Sequence, residues 1–416
     1  MNYHETTNVE NILLTGATGV LGARILFELL STTNSCVYCL SRGADTQEEA
    51  LENIEKLLFV YDSEGKLRDE TWRIIPVLGD ITKPLFGLEQ WDYDDLVNSI
   101  QLVFHSAANV SLIASYAKLS PVNVEGTQRV VDFCLHSNVP LLYVSSFSMI
   151  GDKLFHETTL MEDDLDVGQN FEDLDYERTK FDAESLIHTA GVEKGLNWAI
   201  VRPGNIWGDS KTGAYPFFET KVKGIYYEMI KALVETGYSF ASEEDFDISP
   251  VDYVAEACVY IALNIEHTNR HTYHLTNPSP GTYDDIVAHL KSYGYIVRVL
   301  SDDDYFEALY EERIIRDGKP YRSIFTDLMG IMADEDLAEL AKYDTRKAQE
   351  LLEPVGIFCS KPNIELMRTY LDYAVERGWI ESPLQQQPLA EITKEMENKI
   401  YMQHLYDDDF EVAETV

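Results

Sequence analysis

The stretch Leu14-Thr-Gly-Ala-Thr-Gly-Val-Leu-Gly22 restricts this chain more than any other. Its glycines at 16, 19 and 22 stand between an apolar run, Asn11–Thr15, and apolar residues at helical spacing over Gly19–Leu30. A strand must therefore become a helix within a few residues. Gly16 permits the tight turn, Gly19 leaves its backbone open to a close neighbour, and Gly22 lets helix and strand approach. A strand feeding a helix this tightly opens a βαβ crossover. The pattern then repeats. Short apolar runs at Cys36–Leu40, Arg73–Leu78, Leu102–His105, Leu141–Ser145 and Trp198–Val201 alternate with helical patterns at Gln47–Leu58, Val122–His136 and Tyr176–Ala190. This alternation predicts an α/β chain with a Rossmann-like, doubly wound parallel sheet.

The texture changes after Gly208. Residues 1–278 are expected to form the dinucleotide-binding domain, with 209–246 contributing to a second lobe. A helical pattern from about Lys221 to Thr236 and a returning strand at Thr272–Thr276 fall in this part. Residues 279–384 read as a mainly helical substrate-binding lobe with one strand at Tyr295–Leu300, and 385–416 as a helix around Glu391–His404 with an acidic tail. A chain of 416 residues with 45% hydrophobic content is long enough for both parts.

A net charge of −39 argues against nucleic acid and against an anionic membrane surface as partners. It does not exclude an anionic ligand held at a helix N-terminus. The five cysteines are scattered, and Cys36 and Cys39 fall in a strand-like run with no second ligand pair, so no metal site is expected. The apolar stretch Ile12–Leu30 contains glycines, Arg24 and Glu28 and is no membrane span. A reduced, cytoplasmic, monomeric protein is expected.

The Gly-rich turn, in its strand-to-helix setting, points to a dinucleotide whose pyrophosphate rests on the helix N-terminus, contacted by Gly16, Thr18, Gly19, Val20, Leu21 and Gly22. At the end of the second strand the chain reads Cys39-Leu-Ser-Arg42, with no carboxylate before Asp45. An Arg there accommodates a 2′-phosphate, so NADPH is expected over NADH. Asp80 and Ile81 after the third strand, and Ser106, Ala107 and Ala108 after the fourth, extend the cofactor site. His105 reads as a satisfied strand-end histidine. Pro203, Gly204, Asn205 and Ile206 end the sixth strand at the nicotinamide end.

Far downstream, Tyr176-Glu-Arg-Thr-Lys180 puts a phenol and an ammonium one helical turn apart. Tyrosine is a weak acid at neutral pH, and a nearby Lys favours its ionised form while also reaching the nicotinamide ribose. Ser146, preferred to Ser145 and Ser148 by its distance from Gly151, would orient a substrate oxygen. Asn123 is expected to hold the backbone near Lys180, as support or as part of a relay. A dinucleotide turn, then Ser, then Tyr and Lys in this order resembles the active-site plan of the short-chain dehydrogenases/reductases. The catalytic set is then Ser146, Tyr176 and Lys180, and the chemistry is hydride transfer.

Further segments narrow the resemblance. Val37-Tyr-Cys-Leu-Ser-Arg42, Leu78-Gly-Asp-Ile-Thr-Lys-Pro-Leu-Phe-Gly-Leu88, Phe104-His-Ser-Ala-Ala-Asn-Val110, Asn123-Val-Glu-Gly-Thr127, Arg202-Pro-Gly-Asn-Ile-Trp-Gly208, Pro250-Val-Asp-Tyr-Val254 and Tyr273-His-Leu-Thr-Asn-Pro278 join the Gly turn. Over residues from about 11 to 280 the chain resembles the thioester reductase family of extended short-chain dehydrogenases, found as terminal reductase domains of nonribosomal peptide and polyketide synthetases and in carboxylic acid and aminoadipate reductases. The family often has Thr where this chain has Ser146, and a hydroxyl serves either way.

The resemblance implies NADPH-dependent release of an acyl or peptidyl chain, as an aldehyde or further as an alcohol, from a phosphopantetheine thioester on a carrier protein or domain. A fatty acyl-CoA reductase and a sugar-nucleotide epimerase or dehydratase are the alternatives within the superfamily. A non-catalytic protein that kept the fold is a third. Tyr215, Phe217 and Phe218 are the expected substrate contacts, and Lys211, Lys221 and Lys223 a candidate basic patch for docking an acidic carrier.

Overall fold

A computed structural model of the chain describes residues 9–155, 158–220, 224–323, 325–326, 341–386 and 389–392. Its described residues divide into two compact units. The first draws on Met1–Val222, Asp247–Pro280 and Ala338–Lys361, the second on Lys223–Phe246, Gly281–Leu337 and Pro362–Val416.

The first unit is built on seven parallel strands: β1 (Asn11–Thr15), β2 (Cys36–Ser41), β3 (Ile74–Leu78), β4 (Leu102–His105), β5 (Leu141–Val144), β6 (Trp198–Pro203) and β7 (His271–Leu275). Their order across the sheet is β7-β6-β5-β4-β1-β2-β3. The order reverses between β1 and β4, and a doubly wound sheet opens its ligand crevice at such a reversal, outside the carboxyl ends of the strands. The pairing of Thr15 with His105 puts the Gly turn and the end of β4 side by side there.

Helices α1 (Val20–Thr32), α2 (Gln47–Tyr61), α3 (Gln90–Ser99), α4 (Tyr116–Asn123), α5 (Glu125–Ser137), α6 (Asp175–Lys194) and α7 (Val251–Leu263) make the crossovers and flank the sheet. The Thr46 hydroxyl caps α2 by accepting from Glu49 N. Asn138 and Gly195, both left-handed, end α5 and α6. The helix expected over Val122–His136 is two: α4 carries Pro121 inside it and ends at Asn123, and α5 starts beyond a break at Val124. One core cluster gathers Leu13, Val103, Val131, Phe133, Tyr143, Ile187 and Ile200 from β1, β4, α5, β5, α6 and β6. Each such side chain contributes roughly 1.5–3 kcal/mol by leaving water. Gly191 on α6 is part of this fit, since a Cβ there would lie 2.3 Å from the Trp198 ring nitrogen.

The uninterrupted 279–384 lobe is not what the structure shows. Ala338–Lys361 belongs with the first unit. Lys342 and Tyr343 pair in parallel with Thr159 and Leu160, and the helix Arg346–Leu352 follows. In the second unit, helix Ile225–Thr236, helix Tyr283–Tyr293 with a Thr282/Asp285 capping box, and helices Asp302–Tyr310 and Ile364–Glu376 accompany short strands. Phe240 stacks on Tyr283 at 4.4 Å and meets Tyr305 and Phe306 at 5.3 Å. Of the helix expected around Glu391–His404, Glu391–Ile392 is a strand paired with Ile314 and Ile315, and 393–404 lie outside the described residues.

Candidate active site

Thr15 ends β1 with a buried hydroxyl that bonds His105 Nδ1 at 2.7 Å and accepts from Ala107 N at 3.2 Å. His105 Nε2 meets the Thr127 hydroxyl at 3.0 Å, and that hydroxyl donates to Asn123 O at 2.6 Å. Thr127 has one proton and spends it on Asn123, so Nε2 of the imidazole carries the hydrogen. Burial, then Lys180, pushes the His105 pKa down to about 3, which keeps the ring neutral. It is a strut between strand and helix, as expected.

Gly16 has φ +82°, and a Cβ there would fall 2.8 Å from Ala107 N and from the Ser106 carbonyl carbon. At Gly22 a Cβ would lie 2.0 Å from Gly16 O. Gly19 is the N-cap of α1, with no side chain capping the helix and no acidic residue in its first turn. The first turn of α1, uncapped by any side chain, thus begins beside Ser106–Ala108, where close backbone packing leaves no room for side chains at Gly16 and Gly22. An anionic dinucleotide fits such a place.

Arg42 is exposed at the end of β2. Burial raises the Asp80 pKa, but bonds from Thr82 N at 2.9 Å and the Thr82 hydroxyl at 2.8 Å, with Arg42 and Lys83 nearby, outweigh it and leave a carboxylate. Two expected cofactor contacts are placed differently. Ile81 turns its side chain inward, 2.8 Å from where a Cβ on Gly126 would be. Asn123 is 1% exposed. Its amide accepts from Asn109 N at 2.7 Å and donates to Asn109 O at 2.9 Å and to the Thr179 hydroxyl at 3.0 Å. With both N–H groups committed inside the protein, Asn123 supports the turn of α6 that carries Lys180 and has no donor left for a relay.

Ser146 follows β5. Its hydroxyl lies 2.9 Å from that of Ser148 and accepts from Ser148 N at 3.2 Å, near enough to Tyr176 to lower the phenol pKa slightly. Ser145, by contrast, is buried, and its hydroxyl has no hydrogen-bond partner among the described residues. Tyr176 and Lys180 share the buried face of α6. Lys180 Nζ donates to Val144 O at 3.0 Å and stands 5.2 Å from the Tyr143 ring centroid and 6.0 Å from that of Tyr176. Burial lowers the Lys180 pKa to about 8, opposed by Glu184. Burial and Glu177 push Tyr176 well above the ordinary phenol value, and the neighbouring Ser146 hydroxyl only moderates this. In this state the Lys180 ammonium donates to a backbone carbonyl while standing 6.0 Å from the Tyr176 ring, and burial holds Tyr176 as a neutral acid.

Pro203 ends β6 and Gly204, Asn205 and Ile206 follow it, partly open. Of the aromatic loop, Tyr215 and Phe217 are buried with rings 5.1 Å apart, and Phe218 is 53% exposed. Lys211 bonds Glu256 at 3.0 Å and lies 3.7 Å from Asp252, so its charge is locally answered. Lys221 and Lys223 lie outside the described residues. Pattern reading missed the buried pair Arg202–Glu184 at 2.7 Å, the carboxylate of Asp247 beside Gly204, and Tyr343, whose hydroxyl donates to Phe147 O at 3.2 Å.

The sequence profile of a NAD-binding family described as male sterility protein matches residues 14–258. The chain belongs to this family. It is a reductase domain of the thioester reductase type, an NAD(P)-binding oxidoreductase of the extended short-chain dehydrogenase/reductase superfamily. A linear gramicidin synthase protein of Brevibacillus parabrevis is 29% identical over 375 residues, 88% of this chain and 7% of that protein. The terminal R domain of the myxalamid PKS-NRPS pathway superimposes with a TM-score of 0.79 at 29% identity, over 91% of this reductase and 94% of that chain. A thiolation-reductase di-domain from an archaeal nonribosomal peptide synthetase gives 0.72 at 25% identity, over 91% and 78%. The reductase spans between 7% and 37% of the length of eight curated relatives. No helix among its described residues is long and apolar enough to cross a membrane.

Proposed function

We propose that this reductase releases an acyl or peptidyl chain from a carrier-bound phosphopantetheine thioester, with NADPH as reductant. The observation that carries the reading is that Tyr176 and Lys180 share the buried face of α6, with Lys180 Nζ 6.0 Å from the phenol ring centroid, in a chain whose Gly-rich turn opens α1 uncapped at its sheet reversal. Similarity to a thiolation-reductase di-domain supports a carrier as partner. Arg42, at the end of β2 where a ribose-binding carboxylate would otherwise be expected, supports NADPH over NADH.

When bound, NADPH supplies the hydride. Val20, Leu21 and Gly22 would hold its pyrophosphate through backbone N–H groups, and Arg42 its 2′-phosphate. Tyr176, kept protonated by burial, donates its O–H to the thioester oxygen as negative charge develops there. Ser146 holds the same oxygen and fixes its direction. Lys180 keeps a positive charge beneath the phenol, so proton loss from Tyr176 is met by a cation. Collapse of the tetrahedral adduct then frees the carrier thiol and an aldehyde.

The test is oxidation of NADPH and of NADH with acyl-pantetheine, acyl-CoA and carrier-bound thioesters, with products identified by mass. Turnover with NADPH and an aldehyde or alcohol product is expected, fastest on the carrier. Absence of oxidation with every thioester, together with tight binding of NAD, would overturn the reading.

A further inference from the structure

Gly204 has a specific reason to be glycine. A Cβ at that position would lie 2.2 Å from Asp247 Oδ2. Asp247 reaches across from a segment more than 40 residues later in the chain, and both of its carboxylate oxygens accept hydrogen bonds. Oδ2 accepts from Asn205 N at 2.6 Å and from the Ser249 hydroxyl at 2.9 Å, and Oδ1 accepts from Asn277 N at 2.6 Å. The same turn is tied again by Ser249 N to Asn205 O at 2.9 Å and by Gly204 N to Leu275 O at 3.4 Å. Asn277 in turn donates its side-chain amide to Ile248 O at 2.7 Å and Ser360 O at 2.9 Å. One carboxylate thus joins the exits of β6 and β7 to the segment that leads into α7. The cluster sits at the carboxyl end of the sheet, where this fold binds its ligands.

We propose that Asp247 is a positioning residue for the nicotinamide end of the cofactor site, acting through the Gly204-Asn205 turn. The inference rests on the reading of Pro203–Ile206 as that end. Two short charge-assisted bonds from backbone N–H groups are strong contacts. The backbone bonds between Gly204 and Leu275 and between Ser249 and Asn205 hold the strand exits together, and the carboxylate adds the acceptor that fixes the Asn205 and Asn277 amides relative to each other. A turn made of Gly and Asn has little stiffness of its own. Asp247 supplies the stiffness, and Gly204 leaves it the room. Neither the adenine side of the site nor the Gly16–Gly22 turn depends on this carboxylate.

The test compares binding of NADPH with binding of 2′,5′-ADP, which has the adenosine end and the 2′-phosphate but no nicotinamide. Both are titrated against the full chain, as wild type, Asp247→Asn and Gly204→Ala, with thermal melting as a check of folding. Asp247→Asn keeps the shape but turns an N–H group toward N–H donors. Gly204→Ala leaves the carboxylate in place and pushes it away. In both variants NADPH should weaken by about tenfold to a hundredfold, with 2′,5′-ADP within about twofold of wild type. The double variant should lose far less than the product of the two losses, because both changes break the same contact.

Wild-type NADPH affinity in a folded Asp247→Asn or Gly204→Ala chain would overturn the proposal. So would equal losses for NADPH and 2′,5′-ADP, or failure of both variants to fold, since each marks a general structural role. A wild-type chain that binds neither NADPH nor NADH would instead sink the functional reading, and this inference with it.

Discussion

Burial holds the Lys180 pKa down to about 8, against the pull of Glu184 one turn further along α6. The ammonium is therefore present below that pH and lost as pH rises through it. In the proposed reaction the charge answers proton loss from Tyr176, so kcat/KM should be level toward neutral pH and fall about tenfold per unit above pH 8. A Lys held at its ordinary value would put this limb about two units higher. Lys180→Arg carries a group that does not deprotonate, and whatever activity it retains should lack the limb. A wild-type profile that stays flat to pH 10 would contradict the assignment. At this scale the site divides cleanly by legibility. Gly16, Gly22, Ser146, Tyr176 and Lys180 stand in short local motifs whose spacing can be read from the sequence alone. Asp247 acts on Asn205, and Tyr343 on Phe147, across separations of 42 and 196 residues. No local spacing marks such pairs, and only the folded chain shows that Gly204 and Asp247 explain one another.

The element least visible in the sequence is the segment that returns to the first unit at Ala341–Lys361. Its helix, Arg346–Leu352, has no side-chain cap from its own N-cap, Thr345. Glu162 takes that place from a distance. It accepts from Lys347 N at 2.8 Å and Ala348 N at 3.0 Å, and from His274 N at 3.1 Å, while only 3% exposed. His274 Nδ1 also bonds Asp344 O at 2.8 Å, and its Nε2 meets Arg202, whose guanidinium is paired with Glu184 on α6. Glu162→Ala would leave two buried N–H groups and a half-buried one without their acceptor, at a cost of about 2–4 kcal/mol. Urea denaturation should show that loss while NADPH affinity stays within about twofold of wild type. A change under about 0.5 kcal/mol would show that the segment is held by something else. The first six strands of the sheet and helices α1, α2, α5 and α6 were legible because each buries apolar residues at a regular spacing, whereas α3 went unread and α4 was merged with α5. This segment is short and mixed in pattern, and its bonds run to residues some 70 to 196 positions away. Reading in windows could only assign it to its neighbours in sequence.

At the scale of the molecule the dominant fact is a net charge of −39 at neutral pH. A carrier that is itself acidic is repelled at long range, and a local basic patch would be needed to reverse this. Lys211 does not supply one, since Asp252 and Glu256 answer its charge. The balance of these forces is readable from salt. Repulsion between exposed charges fades as the screening length shrinks from about 30 Å at 0.01 M salt to about 8 Å at 0.15 M, whereas a small neutral thioester feels little of it. Across that range kcat/KM for a carrier-bound thioester should rise severalfold, and that for the matching acyl-pantetheine should stay level. Because an encounter effect acts on association, the rise should appear in kcat/KM and leave kcat unchanged. A fall with salt, confined to the carrier-bound substrate, would reveal attractive docking charges, with Lys221 and Lys223 the first to reverse. Parallel changes on both substrates would place the salt effect in the cofactor or the chemistry, and remove the carrier from its explanation.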